Sequence, residues 1–136
     1  MSAKRTNGPK VLLAWDIEDP APAALASVRR MIDGGAKAAA VYVASPAFMA
    51  MPDWDRRTLR AAWRGKLRKQ GIELMFEEGA VVPRLLSFIA QTKPDLVVLG
   101  TKSSGWIESL LLGSVAKSVR RRSSSPVLIV PAGKKR

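Results

Sequence analysis

The feature that most constrains this chain is a series of short apolar runs set between segments of helical periodicity. Four runs rich in valine, leucine and isoleucine, Lys10–Trp15, Ala38–Ala44, Asp95–Gly100 and Pro126–Pro131, are nearly apolar throughout. Strands buried between two helical layers look this way, because neither face of a parallel sheet meets water. A fifth run, Ile72–Glu78, alternates Ile72, Leu74 and Phe76 with Glu73, Met75 and Glu77. That pattern predicts a half-exposed strand nearer a sheet edge.

Helical patterns separate the runs. Pro20–Gly34 has Asp19 as candidate N-cap, proline at its first position and Ala24, Leu25, Val28, Met31 and Ile32 on one side, stopping at Gly34-Gly35. Asp53–Gln70 is basic, with Leu59, Ala62, Trp63 and Leu67 at helical spacing. Val82–Thr92 places Leu85, Leu86, Phe88 and Ile89 together and tolerates Pro83 in its first turn. Glu108–Ser123 carries Leu111, Leu112, Val115, Ala116 and Val119. The order βαβαβαβαβ predicts an α/β fold, a five-stranded parallel sheet, doubly wound with helices on both faces. A chain of 136 residues is one domain by length. Its body is expected over residues 10–131, between a flexible basic tail at 1–9 and a second at 132–136.

Composition narrows the chemistry. The sequence has no cysteine and no histidine, which excludes disulfides, thiolate nucleophiles, Ser-His-Asp triads and most catalytic zinc sites. Lys and Arg number 23 against 11 Asp and Glu, a net charge of +12, which favours anionic partners. The first apolar run ends at Asp16, too short for a secretory segment, and no run approaches the ~18 residues that span a bilayer. A cytoplasmic protein is the expectation.

Ligands of open doubly wound sheets sit beyond the C-terminal ends of the strands, at the switch point. Asp16 follows the first strand there. Gly100-Thr101-Lys102-Ser103-Ser104-Gly105 follows the fourth, and Gly113-Ser114 lies in the next helical pattern. Small, glycine-bearing loops let backbone N–H groups approach phosphate, and a helix N-terminus adds dipole charge. The segment is neither GxGxxG nor a P-loop, and by itself the favoured reading is a serine-rich turn before a helix.

The stretch from Asp95-Leu96-Val97-Val98-Leu99-Gly100 through Leu111-Leu112-Gly113-Ser114-Val115-Ala116 to Ser125-Pro126-Val127-Leu128-Ile129-Val130-Pro131 resembles the C-terminal signature of the universal stress protein family. Val11-Leu12-Leu13-Ala14-Trp15-Asp16, Ala24-Leu25 and Glu77-Glu78-Gly79 leading into Leu85-Leu86 are similar too. The resemblance runs from about Lys10 to Pro131, and Leu112-Gly113-Ser114-Val115 lies in its most specific part. It implies strand order 3-2-1-4-5 and the adenine nucleotide alpha hydrolase-like fold. One branch of that family binds ATP through Gly-x-x-Gly-x9-Gly-Ser/Thr, and another lacks the motif and the activity.

Gly100 and Gly113-Ser114 match the motif, while Ser103 replaces its second glycine and Gly105 falls two positions late. Serine where φ must be positive costs about 1 kcal/mol relative to glycine. Its hydroxyl can still donate to phosphate, and Lys102 supplies a cation, so the site is expected to be retained and weakened. The resemblance implies that Asp16 meets the adenine or ribose end and that Val43 lines the adenine pocket. It places Leu99, Gly100, Gly113, Ser114 and Val115 by the ribose and phosphates, with Lys102 and Ser103 in the same set. ATP or another adenine nucleotide is the expected ligand, with Mg²⁺ on the phosphates. No catalytic residue and no protein metal ligand is expected.

Other features have more than one reading. The helix Asp53–Gln70 holds Arg56, Arg57, Arg60, Arg64, Lys66, Arg68 and Lys69 with Trp54 and Trp63 interleaved. It is either a surface for nucleic acid or anionic membrane, or a solvated face with Trp63 and Leu67 turned to the sheet; the second is favoured. Arg120-Arg121-Arg122-Ser123-Ser124-Ser125 is an anion patch or a basophilic phosphorylation site, or else cations complementing a helix dipole before a serine loop; the last is favoured. Phe48, Met49, Met51 and Trp54 either cover a pocket mouth or pack a connection on the body; the second is favoured. The last strand is an apolar edge, which invites pairing, and the resemblance implies a homodimer through Val127–Val130. The reading is a dimeric stress-response sensor or accessory protein that binds an adenine nucleotide, not a fast enzyme. The alternatives are a nucleotide-free partner-binding dimer with a vestigial pocket, and a basic nucleic-acid-associated protein.

Overall fold

The computed structural model describes residues 8–16, 21–100 and 114–131. Among these, the strands are β1 (Lys10–Ala14), β2 (Lys37–Ala44), β3 (Ile72–Glu78), β4 (Leu96–Gly100) and β5 (Val127–Val130). The helices are α1 (Pro22–Asp33), α2 (Pro46–Met49), α3 (Asp53–Arg68), α4 (Val81–Thr92) and α5 (Ser114–Arg122). The strands form one sheet in the order β3-β2-β1-β4-β5, and every pairing is parallel. This is the expected order 3-2-1-4-5.

Strand alternation divides the core into two layers. Val11, Leu13 and Trp15 of β1 and its continuation pack with Ala24 and Val28 of α1, Phe48 of α2 and Leu67 of α3. Leu12 packs on the other side with Leu85, Phe88 and Ile89 of α4 and Val119 of α5. β2 divides in the same way, with Tyr42 in the first layer and Val41 and Val43 in the second. Both faces of the central strands are therefore buried, which explains their continuous apolar sequence. β3 is an edge, and its Ile72 and Leu74 are buried while Glu73 is exposed.

The helix starts differ from expectation for a local reason. α1 begins at Pro22, not Pro20, with Ala21 as N-cap and no side-chain cap. A residue before proline is pushed out of the helical region, and Ala21 obeys with φ −114° and ψ 88°. A helix beginning at Pro20 would have needed helical geometry at Ala21. Asp19 and Pro20 lie outside the described residues, as do Thr101–Gly105, residues 108–113 of the expected last helix and most of both expected tails. At the far end of α1 the Gly34-Gly35 pair stops the helix, Gly35 taking φ +109°, where a side chain would be strained.

The connection after β2 contains the short helix α2. Ser45 caps it, its Oγ accepting from Phe48 N at 3.0 Å, and Pro46 occupies the first turn. Phe48 is wholly buried, edge-on to Tyr42 at 5.3 Å, and Met51 packs on the same layer. Met49 and Trp54 instead face outward, Trp54 being 71% exposed. Arg56 of α3 donates to the carbonyls of Met49 and Met51, which fixes the elbow between α2 and α3.

Candidate functional site

The sheet order reverses at β1, which pairs with β2 on one side and β4 on the other. The switch point therefore lies between the C-terminal ends of β1 and β4, where a crevice opens in folds of this kind. Ala14 lies opposite Leu99. One further step brings Gly100 beside Trp15, with Asp16 just past it. Pairing outlasts β1, since Trp15 N donates to Val41 O at 2.9 Å. Trp15 is thereby held in the core at 4% exposure while Asp16 stands exposed at the rim.

The remaining described candidates gather in one layer. Val43 and Leu99 are buried together with Leu12, and Val115 of α5 packs against the same cluster. Alternation along β1 sends Leu12 and Ala14 toward this layer, and carried on it sends Asp16 the same way. Ser114 begins the described part of α5. Lys102, Ser103 and Gly113 lie outside the described residues.

Gly100 has a packing role that the sequence did not reveal. A Cβ built there would lie 2.3 Å from Ala21 Cβ and 3.4 Å from Ala24 Cβ. The start of α1 approaches β4 so closely that glycine is required whether or not a ligand binds. Trp15 is a second residue with an unforeseen role. It meets Trp63 edge-on at 5.4 Å and 65°, and its Nε1 is buried with no hydrogen-bond partner. The pair ties the end of β1 to α3 across the first layer. Its sequence signal was the apolar spacing Leu59, Trp63, Leu67, whose Leu67 is fully buried.

An exposed carboxylate and an apolar wall at Val43 suit a ligand with hydroxyls and an apolar base. The other sequence features separate from this end. Arg120, Arg121 and Arg122 form the last turn of α5, where cations complement the helix dipole. Ser123 Oγ donates to Ser125 O at 2.7 Å and accepts from Ser125 N at 3.0 Å, which closes the loop into β5. Among the described residues no group of three or more acidic, histidine or cysteine side chains is placed to hold a metal. No helix among them is long and apolar enough to cross a membrane.

Comparison with known proteins agrees with this architecture. A universal stress protein of Thermus aquaticus is 28% identical over 132 residues, covering 88% of this chain and 96% of its own. A universal stress protein of Methanocaldococcus jannaschii is 40% identical over 58 residues, which span 34% of that protein's length. The crystal structure of a universal stress protein in complex with cAMP superposes with a TM-score of 0.65 at 27% identity, covering 90% of this chain and 96% of that one. The Arabidopsis thaliana family member solved with AMP bound superposes at 0.61 with 17% identity, covering 92% of each chain. The profile described as the universal stress protein family matches residues 9–131, and with the 3-2-1-4-5 sheet beneath it the chain belongs to that family.

Proposed function

We propose that this chain binds ATP at the switch point between β1 and β4 and serves as a dimeric stress-response sensor or accessory protein. The observation that carries the reading is the pairing of Ala14 with Leu99, which brings the end of β4 at Gly100 level with Trp15, one residue short of Asp16, where the strand order reverses. Solved relatives holding cAMP and AMP support an adenine nucleotide as the ligand class. In this reading the Asp16 carboxylate accepts from nucleoside hydroxyls and Val43 lines the base. Leu99, Gly100, Gly113, Ser114 and Val115 border the ribose and phosphates. Lys102 supplies a cation and Ser103 a hydroxyl, and Mg²⁺ accompanies the phosphate oxygens.

The dimer is proposed through β5. It is the sheet edge beside β4, and Leu128 is 40% exposed on it. A bare apolar edge offers unpaired backbone groups as a template for a second copy. Mass spectrometry of gently denatured protein tests the nucleotide first: a co-purified adenine nucleotide is expected. Asp16→Ala should weaken ATP binding in calorimetry by removing the nucleoside anchor. Equal affinity in that variant would remove Asp16 from the site.

A further inference from the structure

We propose that the outward side of α3 docks this protein on an anionic lipid bilayer. Trp54, Arg57, Ala61, Arg64 and Arg68 follow one another at spacings of three and four, so they form one stripe along the helix. All five are exposed. The opposite stripe, Leu59, Trp63 and Leu67, is the one packed in the core. At 1.5 Å per residue the exposed stripe is about 21 Å long. Thr58, Ala62 and Gly65 are also exposed and short, so little stands between the helix and a flat surface.

The charges on this side are available to an outside anion. Asp53 holds Arg57 at 3.1 Å, but the two side chains are 67% and 71% exposed, and such pairs exchange readily for other partners. Arg64 lies over Phe76 at 5.1 Å from the ring centre, a contact that leaves its charge unneutralised. Lys69 just beyond the helix adds a further exposed cation, and the chain as a whole carries +12. The acidic groups of α3 itself are Asp53, already paired, and Asp55, both in its first turn.

The aromatic and apolar groups favour lipid over nucleic acid. Trp54 is the one large aromatic exposed among the described residues, and Met49 of the neighbouring elbow is exposed with it. Nucleic-acid surfaces without sequence preference use several aromatic platforms on which successive bases stack. A single tryptophan at the end of a cationic stripe matches a bilayer interface, where indole rests at headgroup depth and cations meet anionic lipid. The fixed elbow, held by Arg56 on the Met49 and Met51 carbonyls, presents Trp54 without an ordering step.

Co-sedimentation with vesicles tests this. Three parts phosphatidylcholine to one part phosphatidylglycerol should pellet the wild type at physiological salt, and pure phosphatidylcholine should not. About 1 kcal/mol per cation near an anionic surface corresponds to roughly fivefold each. Arg57→Gln/Arg68→Gln should therefore lower partitioning about 25-fold, and adding Arg64→Gln should lower it roughly 100-fold, with the far-UV circular dichroism unchanged. Brominated lipid should quench wild-type fluorescence, and Trp54→Phe should lose that quenching. The proposal is overturned by no partitioning to the anionic vesicles, by equal partitioning to pure phosphatidylcholine, or by variants that partition like the wild type. It is equally overturned if the stripe arginines serve duplex DNA binding while the vesicles stay bare.

Discussion

Substituting Gly100 by alanine isolates the contact that joins the end of β4 to α1. The new Cβ would lie 2.3 Å from Ala21 Cβ, against an optimum of roughly 3.5–4.0 Å between carbons. The two segments must separate by about 1.2 Å or more, and overpacking of this kind costs about 1–3 kcal/mol. With unfolding entropy near 2.1 cal/mol/K per residue, a chain of 136 residues loses about 4–10 °C in Tm for that cost. Ala21→Gly should relieve it, because the closest atom is that side chain. Ala21 is the N-cap of α1, a position where glycine is preferred to alanine, so Ala21→Gly alone should change stability by no more than a few tenths of a kcal/mol. Thermal and urea unfolding of the wild type, both single variants and the double variant complete the cycle. A coupling of about 1–2 kcal/mol is expected, with a residual cost because Ala24 Cβ stays at 3.4 Å. A Gly100→Ala cost that is the same in both backgrounds would refute the packing account of this glycine.

Two further outcomes follow from the core and the edge. Leu67→Ala, at a fully buried position, should lower stability by about 2–5 kcal/mol in urea unfolding, while Ala62→Ser on the exposed side of α3 should stay within about 0.5 kcal/mol. Leu128→Lys should give a monomer by light scattering if β5 pairs with its twin, and an unchanged dimer would place the interface elsewhere.

The sheet was legible because its strands are buried on both faces, so Val11-Leu12-Leu13 and Leu96-Val97-Val98-Leu99 leave no polar alternation to confuse with helix. The edge position of β3 was legible for the opposite reason, since Glu73 lies opposite Ala39 and faces out. The start of α1 was misread because Asp19-Pro20 carries the usual start signal, while the steric effect of Pro22 on Ala21 governs. α2 went unread although Ser45-Pro46 is a cap followed by a first-turn proline; its four residues are too few for periodicity to register. The candidate site was legible only by position. Asp16 and Gly100 lie at the ends of β1 and β4 in sequence, but their meeting at one end of the sheet comes from the β1–β4 pairing, which joins segments distant along the chain. The close approach of Ala21 to Gly100 and the Trp15–Trp63 contact are likewise tertiary, and no local pattern encodes them.

Titration calorimetry with MgATP tests the central claim most directly. Gly100 and Gly113-Ser114 keep the spacing of the nucleotide motif, and Ser103 departs from it. Wild-type protein should bind MgATP, and Ser103→Gly should tighten binding about tenfold, from a conformational strain of roughly 1–1.5 kcal/mol removed. Gly113→Val should abolish the signal by filling the space the phosphates need. Silence from both wild type and Ser103→Gly at millimolar adenine nucleotide would contradict the account. Silence from wild type alone, with heat restored by Ser103→Gly, would mark the pocket as vestigial and leave the dimer as a partner-binding protein.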